Sequence, residues 1–255
     1  MHDDRQLYKK WLFPSILFVL FLSVWEIIVV ALSIPSFLVP RPSTIVTTAY
    51  SVGWDVVYNT YLTTLESFLG FLFGSGFGVT VGILLSFSKN IEISLMPYII
   101  ALKTVPIIAV APLFVIWFGY GITTKVLLAS LICFFPVAIG TLSGLKNVDR
   151  SSLDLFESLS ATYWQKFKWL LWPNALVQIF SSLKVSVIFA VIGAIVAEFA
   201  GAEGGVGFEI LMASYHVDTP KMFVYIIMSA VIGMSLYGVI AAMEYYLIYW
   251  AHHNR

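Results

Sequence analysis

The sequence predicts an all-α membrane protein with about six transmembrane helices, and three observations predict it. Of the 255 residues, 60% are hydrophobic and 11% charged, with a mean hydropathy of +0.91, a balance foreign to a water-soluble domain with an ordinary surface. Apolar stretches of roughly 20 residues or more, enough to cross a bilayer core of about 30 Å as helix, recur along the whole chain. Between them, Lys and Arg collect on alternate connections, the asymmetry that orients membrane helices.

The first stretch, Trp11 to Ser33, follows the charged start MHDDRQLYKK. It is too long for the core of a signal peptide and has no small-residue cleavage site behind it, so it reads as a retained anchor. The second runs from Tyr61 to Phe87 and the third from Ile91 to Phe118. Pro106 and Pro112 fall inside the third, each removing a backbone donor and crowding the carbonyl four residues earlier, so this helix should be kinked or broken. Breaks survive in lipid only where protein or a water-filled cavity satisfies the freed groups, which sets this span against protein or a pathway. The fourth, Thr124 to Leu145, holds the chain's single cysteine, Cys133, in an apolar run; it builds no disulfide framework and no thiolate metal cluster. Ala175 to Ala200 and Met222 to Trp250 complete the set. With the N-terminus inside, the inner connections hold Arg5, Lys9, Lys10, Lys89, Lys146, Arg150, Lys166, Lys168 and Arg255, against Arg41, Lys125 and Lys221 outside. Both termini are therefore expected on the inner side, with residues 1–10 and 251–255 as cytoplasmic ends of a single transmembrane domain, 11–250. A net charge of zero and scattered basic residues exclude a nucleic-acid partner.

The largest inner loop, 151–173, reads SSLDLFESLSATYWQKFKWLLWP. Ser151 with Asp154, and Thr162 with Gln165, have the form of capping boxes, so two short helices are expected to start about nine to eleven residues apart, with Leu159, Ser160 and Ala161 at the turn. The second places Tyr163, Trp164, Phe167, Leu170 and Leu171 on one face and Gln165, Lys166 and Lys168 on the other. Two readings fit: an interfacial helix resting on the inner leaflet, or a docking element for a cytosolic partner with Leu155, Phe156 and Leu159 as apolar knobs.

This loop resembles the cytoplasmic loop of permease subunits of ATP-binding-cassette importers, whose pattern is Glu-Ala-Ala, three residues, Gly, then about a dozen residues to a Pro. Asp154, Leu155 and Phe156 stand at the Glu-Ala-Ala positions, Ser160 at the Gly and Pro173 at the Pro. The spacing matches; Ser replaces a Gly that permits a tight turn, and fits only if the backbone avoids positive φ or tolerates strain. FLVPRPSTI, TVPIIAVAPLFVIWFGYG, FFPVAIGTLSGLKNVD and AEFAGAEGGVGFEI are similar to the branch of these permeases that carries sulfonates, taurine, nitrate or bicarbonate, and thiamine-precursor pyrimidines. The resemblance implies a type I importer permease of five or six helices, similar to the methionine permease. It also implies a second permease subunit, the same or different, two ATPase subunits docked at the inner loops, an extracytoplasmic binding protein, and the cell membrane of a prokaryote. It makes 151–173 the ATPase-coupling loop. ATP and Mg would belong to the partner ATPase, since no G-x-x-x-x-G-K-[ST] occurs and the chain has no phosphate-cradling loop.

Gly70, Gly74, Gly78 and Gly82 recur every fourth residue and form a smooth helix face, for packing within the subunit or for a channel or dimer seam. Charges inside spans are functional suspects by their cost. Glu66 and Glu198 lie near the outer surface, where they could be wet, and Lys103 could snorkel to the inner interface. Lys184 either lines the translocation path, where it would attract an anion, or pairs with a carboxylate or helix end. Glu26 is harder to excuse. Lys103, Pro106, Pro112, Lys184 and Glu198 are thus the pathway candidates. Gly204, Gly205 and Gly207 mark a turn that the resemblance makes a re-entrant or outer element near the path. His2, His216, His252 and His253 lie outside the spans, and neither a catalytic motif nor a metal-ligand set stands in the membrane, so no catalysis is expected of this chain. A secondary transporter or channel is the rival class; it would need inverted repeats or a charged relay, and the sequence displays neither.

Overall fold

Lipid offers backbone groups no partners, so a spanning chain must satisfy them internally. The regular elements of the computed structural model are accordingly all helices among the described residues. These are residues 3–248 and Trp250, with side chains from Leu12 onward; the expected C-terminal tail 251–255 lies outside them, as does His2. In order, α1 is Asp3–Ala31, α2 Pro42–Val52, α3 Trp54–Phe87, α4 Lys89–Thr104, α5 Ile107–Phe118 and α6 Ile122–Lys146. They are followed by α7 Arg150–Ser158, α8 Tyr163–Lys166, a π-helical turn Phe167–Leu171, α9 Trp172–Gly201, α10 Val206–Tyr215 and α11 Thr219–Leu247. Leu12–Ala31, Trp54–Phe87, Ile122–Lys146, Tyr163–Gly201 and Thr219–Leu247 are each long and apolar enough to cross a bilayer, and α4 with α5 makes a sixth span bent by 94°.

The bend sits at Val105 and Pro106. Val105 is extended, as a residue before proline is pushed to be, and Pro106 starts α5 from an extended conformation. Pro112, expected to share in the break, lies inside a continuous α5, as Pro97 and Pro136 lie inside α4 and α6. Proline alone does not break a packed membrane helix, because neighbours hold the segments in line; the break comes where the chain also leaves in a new direction.

The core is a sandwich of α3, α6 and α9. Gly70, Gly74, Gly78 and Gly82 all face α6: a Cβ would lie 2.3 Å from Ala129 Cβ at Gly70, 2.3 Å from the Ser130 carbonyl at Gly74, 2.8 Å from the Phe134 carbonyl at Gly78 and 2.5 Å from Thr141 Cβ at Gly82. Contacts that advance together along both chains make α3 and α6 parallel. On the other face of α6, Gly140 meets Ser182 and Gly144 meets Ala175, an antiparallel approach to α9. Where hydrocarbon replaces water, such close backbone packing supplies the attraction that burial supplies in water. Cys133 is buried in this core and donates to the Ser186 carbonyl at 3.1 Å.

Two loop expectations are corrected. The N-cap of α7 is Asp149, not Ser151; Arg150 is already helical, and the Ser151 hydroxyl turns back to donate to the Asp149 carboxylate. That hydroxyl, with the N–H groups of the first turn, holds the Asp149 carboxyl below the ordinary carboxylate range. The second box forms as expected, with Gln165 N–H donating to Thr162 Oγ1 at 3.4 Å and Thr162 N–H to Gln165 Oε1 at 2.7 Å. The helix it starts, however, is not a separate amphipathic element: α8 runs through the π turn into α9 as one 39-residue helix. The wide turn comes just ahead of Pro173, which has no N–H for the carbonyl of residue 169. Phe167 and Leu171 therefore pack on Leu145, Ala175 and Ile179 instead of lying on a leaflet.

Candidate functional site

Three places stand out as candidates: the α7 loop at one end of the bundle, a polar cluster at the opposite end, and a cavity at the α4–α5 bend.

At the α7 end, helix and turn are built to hold a shape. Ser160 N–H donates to the Glu157 carbonyl at 2.9 Å and Ala161 N–H to the Phe156 carbonyl at 3.0 Å, the paired bonds that close a helix around a left-handed residue. Ser160 takes that conformation, φ +51°, where the resemblance puts Gly. Of the two ways Ser could fit, it uses the strained one. Lys166 ties back to Glu157 at 3.1 Å, Tyr163 packs its ring on Phe87 at the end of α3, and Asn174 donates to the carbonyl of Asn147 at 3.0 Å. The loop is thus braced while its apolar side chains stay bare: Leu155, Leu159 and Trp164 are 57%, 69% and 70% exposed. Phe156 is half-buried and Asp154 exposed, so the prominent knobs are Leu155 and Leu159, one helical turn apart.

At the opposite end, Glu66 and Glu198 are not wet, as expected of their position, but almost fully buried. Glu66 pairs with Lys125 at 2.6 Å, a lysine assigned above to an outer connection. Glu198 accepts from Thr63 Oγ1 at 2.6 Å and from the Gly207 N–H. The Val206 N–H donates to Thr63 Oγ1 and the Gly205 N–H to Asn59 Oδ1, both at 2.8 Å. The open N–H groups at the start of α10 are therefore capped by side chains of α3 and α9, with a carboxylate at the positive end of the helix. Gly205, at φ +111°, fits because a Cβ there would lie 2.1 Å from Glu198 Oε1. Gly205 and Gly207 admit this carboxylate, a Cβ at Gly207 lying 2.7 Å from Glu198 Oε2, whereas Gly204 faces Leu62 and Asn59. Asn59 and Thr63 were missed in the sequence, since two polar residues one turn apart in an apolar helix do not reveal a partner more than 130 positions away.

Of the remaining pathway candidates, Lys184 forms an ion pair with Glu244 of α11 at 2.7 Å, the pairing alternative rather than the lining one. Glu26 caps α2, accepting from Ser43 Oγ at 2.7 Å and Ser43 N–H at 3.1 Å. Pro112 is exposed on α5. Pro106 forms the bend, and Lys103 lies on the last turn of α4 beside it, in the wall of a cavity of about 560 Å³ between α4, α5, α6 and α9.

Residues 74–245 match the model of a family described as binding-protein-dependent transport system inner membrane component. The chain is 33% identical over 244 residues to the putative aliphatic sulfonates transport permease protein SsuC of Bacillus subtilis, covering 95% of this chain and 87% of that one. It is 31% identical over 238 residues to the formylaminopyrimidine transport permease protein ThiX of Halalkalibacterium halodurans, covering 93% and 95%. A chain of the inward-facing MetNI methionine ABC transporter superposes with a TM-score of 0.62 at 18% identity, over 75% of this chain and 97% of that one.

Proposed function

The chain belongs to the family of binding-protein-dependent transport inner-membrane components, as a multi-pass permease of an ABC importer, and on that premise we propose how it works. Two ATPase subunits dock on the α7 loops of a pair of permeases, this chain with a copy of itself or with a second permease. Both termini lie on the ATPase side, as the Lys and Arg bias requires. ATP and Mg are bound by the ATPase, and this chain catalyses nothing; it supplies the path and the coupling. A binding protein delivers a small solute to the opposite end, where α10 is held by Glu198, Thr63 and Asn59. The solute belongs to the sulfonate, taurine, nitrate or bicarbonate, or pyrimidine class.

The observation that carries the coupling role is the bare apolar face of α7. Leu155 and Leu159 face outward from a turn that is hydrogen-bonded, salt-bridged and strained at Ser160, an expense suited to presenting a fixed shape to a partner. Leu159→Asp should leave the chain in the membrane at wild-type level. Truncating such an anchor commonly costs about 2 kcal/mol or more of binding, roughly thirtyfold in affinity, and a buried unpaired charge adds to it. A detergent pull-down should then lose the ATPase subunit. Full recovery of the ATPase with Leu159→Asp would end the docking reading.

A further inference from the structure

We infer that the cavity at the α4–α5 bend is a binding site for the transported solute and that Lys103 selects an organic anion with a short apolar body. The inference rests on the importer reading and narrows its solute class. The cavity is walled by Leu102 at the end of α4, Val105 at the bend, Phe114 on α5, Phe135 on α6 and Phe189 on α9. Lys103 is the charged side chain in this lining. Its α6 and α9 walls lie midway along those helices, so the site sits at the depth of the hydrocarbon core.

Three lysines of the spans are paired with carboxylates: Lys125 with Glu66 at 2.6 Å, Lys184 with Glu244 at 2.7 Å, and Lys221, at the start of α11, with Glu209 at 2.7 Å; Lys89 and Lys168, which have no such pair among the described residues, stand at the inner ends of their spans. Lys103 has no carboxylate at salt-bridge distance among the described residues. A cation at membrane depth is costly and calls for a counter-charge. The described residues of this chain provide none and leave Lys103 exposed toward the cavity, which opens it to a counter-charge carried by the solute. A phospholipid headgroup is a poor candidate, because its phosphate is anchored at the interface about half a bilayer away. The volume suits a small molecule, and the apolar walls suit a hydrocarbon or ring body behind the anionic group. Among the relatives, this arrangement matches the sulfonate carrier better than the pyrimidine carrier.

The test uses thiol reactivity, which does not require the cargo to be known. In a Cys133→Ala background, Val110→Cys and Ile132→Cys place a thiol on opposite walls of the cavity. The complex, purified with its ATPase in lipid nanodiscs, is treated with methanethiosulfonate ethylsulfonate, an organic anion, and separately with the trimethylammonium analogue. Each reagent exchanges its sulfinate leaving group for the cysteine thiolate and forms a mixed disulfide. With Lys103 present, the anion should be favoured over the cation about tenfold more than in Lys103→Gln, and Lys103→Arg should keep the preference. An unchanged preference in Lys103→Gln overturns the inference, and so does failure of both reagents at both positions, which would mean that lipid or protein fills the cavity. Loss of the ATPase from the parent complex, by contrast, would count against the importer reading itself.

Discussion

Ser160 shows how a single residue sets the properties of the loop. The turn after α7 needs a left-handed residue to close its two backbone bonds, and a side chain there costs about 1 kcal/mol relative to Gly. Ser160→Gly should relieve that strain and, through a population of open loop about fivefold lower, slow proteolytic cleavage between 159 and 162 by a similar factor. Unchanged or faster cleavage would mean that the turn is not strained. The spacing of the loop motif located this residue in the sequence, but the sign of its φ could not be read there, because Ser tolerates either hand. Glu198 was legible as a suspect and illegible in its role: what it does depends on Gly205 and Gly207 letting a helix start approach it, and on Thr63 arriving from a distant span.

Among the elements, the α3–α6 contact is the most exacting. Gly74 sits where a Cβ would lie 2.3 Å from the Ser130 carbonyl and 2.8 Å from its Cα, backbone atoms that cannot swing aside. Gly74→Ala should therefore push the helices apart and cost about 1–3 kcal/mol, read as a lower denaturation midpoint in mild detergent. Gly76→Ala, in open space on the same helix, should leave the midpoint unchanged. Equal effects would remove the packing account. The glycine period announced a close approach but not which helix would make it. Apolar length placed the spans well, since bilayer thickness imposes it, whereas α2 and α10 escaped notice because helices of 11 and 10 residues leave no span-length signal. Pro42 at the first turn of α2 was the available clue. Proline content overstated the broken span: Pro106, preceded by the extended Val105, marks the bend, and Pro112, inside a continuous α5, does not.

At the scale of the whole molecule, the α3–α6–α9 core joins two specialised ends. The continuous helix of α8, the π turn and α9 begins at Tyr163 in the loop after α7 and reaches Glu198, which holds α10 at the far end, so one 39-residue helix touches both. If the loop couples to an ATPase as proposed, this helix offers a continuous route for a push on the loop to the outer segment. The central claim is that α7 is where that push enters. It is tested most directly by placing a cysteine at Leu159 in a Cys133→Ala background, attaching a benzophenone maleimide, and irradiating membranes that contain the assembled transporter. The account predicts a photo-adduct between this chain and the ATPase subunit, strong at position 159 and absent with the label at Gly76 on α3. Adducts with lipid alone at position 159 would contradict it and return the loop to the membrane surface.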